Sequence, residues 1–425
     1  MFESLLNAFR APDIRRRILY VLGILIIFRL LAHVPVPGVD RAALDQFFEN
    51  NAIFGLLDLF SGGGLSNFSI VGLGVNPFIN ASIIMQLMTG VIPSLQQLSR
   101  EGEYGRNKIN QYTRYLSVPL AAVQAYGFLA LLNSQSVLTT QFDLSSFETL
   151  TQIVTLTAGS VLLMWLGELI TEKGIGNGIS FIIFAGIVSR APTAIVAFLA
   201  NPDPVAGVAF GILAIAAVAV IIYIQEGQRR IPIQYASRVR GRRLYQGGQT
   251  FLPLRVNMAG VIPIIFAVSI LLFPAQIAQY FTTSDIAIIA DIANGIVAVF
   301  ANQVVYAVLY FLLTVGFTYF YTAFTFKPDE TAEQLRKNGG FIPGIRPGRP
   351  TQEYLAKVVT RITLAGALFL GSVAVAPYVM SAALPALGNL ALGGTGLLIT
   401  VSVVVETMKQ IEAQLLMRNY EGFIR

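Results

Sequence analysis

The chain of 425 residues has no cysteine, a single histidine (His33) and a single tryptophan, and only 12% of its residues are charged. Without cysteine there is no disulfide, no thiolate metal site and no cysteine nucleophile, and the redox compartment cannot be read. One imidazole excludes an HExxH zinc site and any triad that needs a second histidine. His33 itself, near the outer end of the first apolar run, reads as an interfacial residue bonded to nearby backbone. Charge is scarce inside the apolar runs, where ion-coupled transport would need it. Arg29 is close enough to an outer end to snorkel, Glu168 lies at an inner end, and Glu406 has Lys409 at i+3 for local pairing. A nucleotide motif is missing too. Thr171–Ser180 (TEKGIGNGIS) carries glycines but not the G-x-G-x-x-G spacing, with no Walker lysine and no preceding strand, and it reads as a tight turn opening a span through Asn177. Energy for any transport must come from a partner or from the membrane potential.

What is present is apolar length. The chain is 55% hydrophobic, with mean hydropathy +0.66. Apolar runs of about 17 to 25 residues recur, enough to cross a hydrocarbon core of ~30 Å. The runs are continuous rather than alternating, which excludes a β-barrel. The expectation is an all-α polytopic membrane protein with ten transmembrane helices near 18–34, 75–95, 115–132, 150–170, 179–199, 205–225, 257–281, 304–326, 358–380 and 394–417. The N-terminus resembles a signal peptide, but Arg29 interrupts the run and HVPVPGVD follows without a cleavage site, so the first span reads as uncleaved. Five spans before about residue 200 and five after would make two pseudo-symmetric inverted halves, 1–200 and 201–425.

Charge tests that topology. Loops on one side of the ten-span arrangement hold 26 of the 29 lysines and arginines, while the other side carries mostly acids, including Asp40, Asp45, Glu49, Asp143, Glu148, Asp203, Asp285 and Asp291. This asymmetry is the positive-inside rule, and it puts both termini and the loops at about 226–256 and 327–357 in the cytoplasm. The first of these loops holds seven arginines (229, 230, 238, 240, 242, 243, 255) and no lysine. Its forked donors suit an anionic partner, whether lipid, RNA or an acidic protein surface.

Two features stay open on the residues alone. The segment at about 54–68, within FGLLDLFSGGGLSNFSIVGLGVN, is too apolar for a solvated loop and too broken by Gly62, Gly63 and Gly64 for a span. It either folds back into the protein, as irregular backbone at membrane depth must, or lies at the interface with apolar side chains toward the headgroups. Isoleucines recur at 79, 83, 179, 183, 264, 265 and 399. By periodicity they face core or lipid.

Several long stretches then resemble the bacterial SecY family, the central subunit of the protein-conducting channel (translocon). They are SGGGLSNFSIVGLGVNPFINASIIMQL, REGEYGRNKINQYTRY, WLGELITEKGIGNGISFIIFAGIV, QRRIPIQYASRVRGRRLYQGG, LPLRVNMAGVIPIIFA and GGFIPGIRPGRPT, in order along essentially the whole chain. The resemblance implies a non-enzymatic pore, without cofactor or metal, in the cell inner (cytoplasmic) membrane. It would pass unfolded secretory polypeptides and release hydrophobic segments sideways into the lipid. An apolar pore ring would fall on Val75, Ile79, Ile179, Ile183, Ile265 and Ile399, with Val75 departing from an all-isoleucine ring. Such a ring disfavours a continuous water or ion column when idle. A plug would include Phe54, Leu57, Phe60, Gly62, Gly63, Gly64 and Leu65. A lateral gate would carry Gln86, Gln124 and Asn257, whose amides hydrogen-bond weakly enough across a seam for a signal sequence to compete. Arg242, Arg243 and Arg346 would dock the motor ATPase SecA or a translating ribosome, with SecE and SecG as membrane partners. Two other classes compete. A ten-span secondary transporter needs a polar midplane site, for which only Glu406 is available. An intramembrane protease needs an Asp pair, a GxSxG or a second histidine, and none is present.

Overall fold

The computed structural model describes residues 9–50, 58, 61–139, 142–143, 145–189, 192, 196, 204–235, 238–240, 243–245, 248–282, 286–383 and 393–422. They form two compact units. The first comprises Met1–Gly207, Val268–Tyr306 and Ile399–Arg425; the second comprises Val208–Ala267 and Ala307–Leu398.

Helices dominate. In chain order they are α1 (Pro12–Leu31), α2 (Arg41–Asn50), α3 (Asn76–Val91), α4 (Pro93–Arg100), α5 (Glu103–Ser134), α6 (Phe147–Lys173), α7 (Gly178–Val188), α8 (Pro204–Glu226), α9 (Ile262–Phe281), α10 (Ala287–Ala301), α11 (Gln303–Thr325), α12 (Pro328–Lys337), α13 (Arg349–Ala383) and α14 (Gly393–Gly422). Among the described residues, α5, α6, α9, α11 and α13 are long and apolar enough to cross a membrane, and the bent pair α3–α4 makes a sixth. The fold is that of a helical, multi-pass membrane protein.

Three elements depart from the expected spans. The run at 75–95 is not one straight helix: α3 and α4 meet at a 99° bend. Ile92, directly before Pro93, takes an extended conformation (φ −90°, ψ 115°), as the clash with a following proline ring requires. The loop after the seventh expected span contains α10. And the loop at 226–256 is not irregular. It folds as β1 (Gln228–Tyr235), β2 (Arg238–Arg240), β3 (Arg243–Tyr245) and β4 (Gln249–Arg255). Strands β1 and β4 pair antiparallel from Gln228 opposite Arg255 to Gln234 opposite Gln249. On its other edge β1 takes β5 (Gly340–Phe341), with Gln234 opposite Phe341 and Tyr235 opposite Gly340. Strands β2 and β3 form a separate two-stranded hairpin.

In the second unit this sheet covers a small apolar core. Ile231 and Leu254 from the hairpin, Ala332 from α12, Ile342 beyond β5, and Leu355, Val358 and Val359 from α13 are buried together. Helix α13 also comes close to the chain after β4, because a Cβ at Gly366 would lie 2.5 Å from the Val256 carbonyl oxygen.

In the first unit, α6 is the post against which the segment 68–74 is laid. Ser160 Oγ donates to the Gly74 carbonyl at 3.0 Å, and a Cβ at Gly159 would fall 1.7 Å from the Ile70 carbonyl oxygen, so only glycine fits there. Gly74 (φ +61°) turns the chain into α3, where Pro77 occupies the first turn without losing a helical hydrogen bond. At the other end of α6, the Thr171–Ser180 turn caps α7 as expected: Asn177 Oδ1 accepts from the Ser180 amide at 3.1 Å, and Thr171 Oγ1 accepts from the Gly178 amide at 2.9 Å. The Gly178 and Ser180 amides are thus spent on the helix start.

Candidate channel and docking sites

The expected ring residues sit at the starts of their helices or within them. Val75 precedes α3, and Ile79 follows one turn later, its amide bonded to the Val75 carbonyl at 3.0 Å. Both are buried, as are Ile183 on α7 and Ile399 on α14. Ile179, one turn before Ile183, is partly exposed and leans toward α6, where a Cβ at Gly167 would be 2.6 Å from its Cδ1. Ile265, on α9 in the second unit, is buried.

Of the expected plug, Phe54, Leu57 and Phe60 lie outside the described residues, while Gly62, Gly63, Gly64 and Leu65 are described. The described part, Asp58 and 61–69, is a tightly bonded knot. Asp58, 1% exposed, is its hub: one carboxylate oxygen accepts from the Leu65 amide at 3.0 Å, the Ser66 amide at 2.9 Å and Ser61 Oγ at 3.0 Å. Gly62 (φ +68°) and Gly63 (φ +84°) make the reversal in a region of backbone space that costs a side chain strain. Gly62 is also a point of closest approach, since a Cβ there would lie 2.8 Å from Gly186 Cα of α7 and 3.2 Å from Phe28 of α1. The knot's C-terminal end is tied to the chain after α1: the Val36 amide donates to the Phe68 carbonyl at 2.7 Å, and the Ile70 amide to the Val34 carbonyl at 3.0 Å. Of the two readings open from the residues, the described part folds into the unit's interior, with Ser61, Leu65, Phe68 and Ser69 all buried.

The ionisable residues of the spans take assignments that only tertiary structure reveals. Arg29 does not reach outward. Its Nη1 donates to the Gly62 carbonyl at 2.6 Å. Glu168 pairs with Arg114 across α5 and α6. His33 Nδ1 lies 2.8 Å from the Arg29 carbonyl oxygen, the local backbone contact its position predicts. Glu406 is exposed on α14.

Two of the three amides expected at a lateral gate make local contacts. Gln86 Nε2 reaches Ser82 Oγ at 3.4 Å, and Asn257 Nδ2 donates to the Gly260 carbonyl at 3.1 Å, fixing the turn into α9. Gln124 is buried within α5. A polar patch not foreseen from the residues lies between α3 and α9: Asn76 and Asn80 face Ser269 and Gln276 around a cavity of about 10 Å3, walled by Val268, Leu272 and Phe273. That is room for about one water. The signal available beforehand was Asn80 in the otherwise apolar turn of NPFINASIIM.

Among the expected docking arginines, Arg242 lies outside the described residues, and Arg243 opens β3 opposite Arg240. Arg346 is exposed in a turn between Gly344 (φ +80°) and Gly348 (φ +101°), with its carbonyl held by Thr351 Oγ1 at 2.8 Å. Pairing of β5 with β1 joins the two basic loops in one sheet. Arg229, Arg230, Arg255 and Arg346 are exposed, while Ile231, Ile342 and Leu355 are buried together in the cluster under the sheet.

Known proteins are similar to this chain in sequence and fold. The SecY family model matches residues 69–408. Over its full length the chain is 46% identical to a protein translocase subunit SecY of Streptomyces scabiei, all of which it covers. It is 43% identical to that of Corynebacterium glutamicum, again over all of both chains. Among solved structures, the fold is similar to one in which the plug domain of SecY stabilises the closed state of the translocation channel and maintains a membrane seal (TM-score 0.64, 20% identity, 93% of this chain and 91% of that one). It is similar also to Sec61 in the canine ribosome–channel complex from the endoplasmic reticulum (TM-score 0.62, 19% identity, 93% and 91%).

Proposed function

The chain belongs to the SecY family, whose members are non-enzymatic protein-conducting channel subunits, and on that premise we propose how its own residues gate and dock. The path for an unfolded polypeptide is ringed by Val75, Ile79, Ile179, Ile183, Ile265 and Ile399. Their side chains offer water and ions no hydrogen bond, so an idle ring stays dry, and they fit loosely around an extended chain. The segment at about 54–68, with Gly62, Gly63, Gly64 and Leu65, is the plug. Gln86, Gln124 and Asn257 line the lateral gate. An apolar nascent segment that reaches this seam leaves into lipid because lipid solvates it better than a wet pore does.

One observation carries the plug reading: the glycine knot is tucked against α1 and α7, through a Gly62–Gly186 approach that any side chain at 62 would break. A greasy interfacial loop has no need of such a fit.

Docking belongs to the sheet. Arg242, Arg243 and Arg346 present forked donors to phosphate or carboxylate, so one surface serves either a ribosome, the partner in the complex that contains canine Sec61, or the SecA motor. SecE and SecG are the expected membrane partners, and signal sequences, secretory polypeptides and membrane lipids complete the set. We place the protein in the inner membrane with both termini cytoplasmic, as ten spans in two inverted halves, 1–200 and 201–425; the support is the bias of positive charge. Resting ion leak tests the ring. Replacing Ile79 and Ile399 with glycine should raise the conductance of reconstituted vesicles several-fold, and unchanged conductance would remove the ring assignment.

A further inference from the structure

Arg29 sits in the last turn of α1, a helix whose buried face is Ile14, Val21, Ile24 and Phe28. A charge in such a run ordinarily reaches for headgroups or pairs with an acid. Here the guanidinium instead donates to a main-chain oxygen 33 residues away, at Gly62. The oxygen it takes belongs to the residue of the knot that has no side chain and comes nearest α7. The bond therefore reads backbone position, not residue type.

The knot's bonds fall into two tiers. Within it, the Asp58 carboxylate holds Ser61, Leu65 and Ser66, and Ser69 Oγ donates to the Gly64 carbonyl at 3.0 Å. These internal bonds survive if the knot moves as a body. Its attachments to the rest of the unit differ at the two ends. At the C-terminal end, two backbone bonds tie Phe68 and Ile70 to Val36 and Val34, and Phe68 holds a positive φ of 45°, a conformation rare for a bulky side chain. That end is built as a fixed pivot. At the opposite end, the Arg29 bond to Gly62 is charge-assisted and lies where the knot meets α1 and α7. A displacement of the knot about its pivot breaks it without unmaking the knot.

We infer that Arg29 is the latch of the plug: a positioning residue that holds the closed state through the Gly62 carbonyl and is released when the plug swings out. The inference rests on the plug reading given above. Once released, the guanidinium is left in the outer vestibule with water as its partner, so displacement exchanges one charge-assisted bond for hydration and stays reversible.

Potassium and chloride leak through the intact, purified channel complex in vesicles tests both levels, comparing wild type, Arg29→Met, Arg29→Gln, a deletion of 61–66, and the deletion combined with Arg29→Met. The latch predicts that Arg29→Met raises resting leak about tenfold, the fold-change matching ~1.4 kcal/mol for a charge-assisted bond. Arg29→Gln should raise it several-fold, and Arg29→Met should add nothing in the deletion background. If the deletion leaks but both Arg29 variants stay at the wild-type level, the latch is wrong and the plug stands. The same conclusion follows if Arg29→Met multiplies the leak equally with and without the plug. A deletion as tight as wild type overturns the plug reading, and the latch with it. Where Arg29→Met fails to accumulate in membranes, Arg29→Gln alone decides: a wild-type leak refutes the latch.

Discussion

The knot at 58–69 and the sheet of β1, β4 and β5 are both polar constructions in an apolar protein, and they use polarity in opposite directions. In the knot, Asp58 turns its carboxylate inward onto two backbone amides and a hydroxyl, and the neighbouring Arg29 spends its donor on a carbonyl. On the sheet, Arg229, Arg230 and Arg346 remain exposed, while the apolar residues beneath hold the backbone. The gate proposed for the knot must stay shut without help, so its polar groups are satisfied within the fold, where each is worth most and a loss is felt. The docking surface proposed for the sheet must stay unsatisfied until a partner arrives, and its charges do little for stability meanwhile. The contrast predicts that changes in the knot alter leak with export competence retained, and changes on the sheet alter export with the seal retained.

The largest separation should come from Arg346→Glu. Reversing the charge on the exposed turn should reduce SecA-driven export of a secretory precursor at least tenfold while vesicle leak stays at the wild-type level; normal export would remove Arg346 from the docking surface. Leu355→Ala strikes the same surface from below. It opens a cavity in the cluster of Ile231, Leu254 and Ile342 and should cost about 2–5 kcal/mol of local stability. Faster proteolysis of the β1–β4 hairpin, again with an unchanged seal, is the expected result.

On the other side of the comparison, Asp58→Ala removes the carboxylate that accepts from the Ser66 amide and one of the two acceptors of the Leu65 amide, which keeps Ser61 Oγ, at a cost of about 1–3 kcal/mol. Resting leak should rise by more than tenfold. Gly62→Ala should act in the same direction, because its Cβ meets Gly186 at 2.8 Å and its φ is +68°. If either variant impaired binding to SecA and left the leak alone, the division between inward and outward polarity would fail. The smallest effect belongs to Lys337→Ala, which breaks an exposed i,i+4 pair with Glu333 at 3.0 Å. The hydrogen bond to Lys337, then its charge, holds the Glu333 carboxyl below its usual range. What stabilisation the pair gives is present above the ordinary glutamate pKa and fades as pH falls through the lowered one. At neutral pH the substitution should change neither export nor leak measurably, since an exposed pair is screened.

Much of the architecture was legible from residues because membranes make long apolar runs mandatory. The runs now occupied by α5, α6, α9, α11 and α13 needed only length and hydropathy. The Asn177 cap and the His33 contact were legible because both are local: each bonds within four residues. Local signals were also missed. Pro93 announces the α3–α4 bend, since a proline restricts the residue before it. The alternation in RIPIQY and TFLPLR announces β1 and β4, whose Ile231, Ile233 and Leu254 are buried; the density of arginine masked that period-two pattern. The role of Arg29 was not legible, and Asn80 signalled only a polar residue within a span, not its partners. A guanidinium at the outer end of a span can snorkel as easily as it can bond inward, and only the approach of Gly62 decides. Asn80 likewise needed its neighbours Ser269 and Gln276 from a helix nearly two hundred residues on.

The central claim is that a translocating polypeptide passes the apolar ring, and the absence of native cysteine makes one measurement direct. Single cysteines at Ile183→Cys, buried on α7, and at Ile26→Cys, exposed on the outer face of α1, would be exposed to a secretory chain arrested in the channel and carrying one cysteine. Disulfide crosslinking at position 183 and none at position 26 is the predicted result. Equal crosslinking at both, or none at 183 with the chain arrested, would contradict the account.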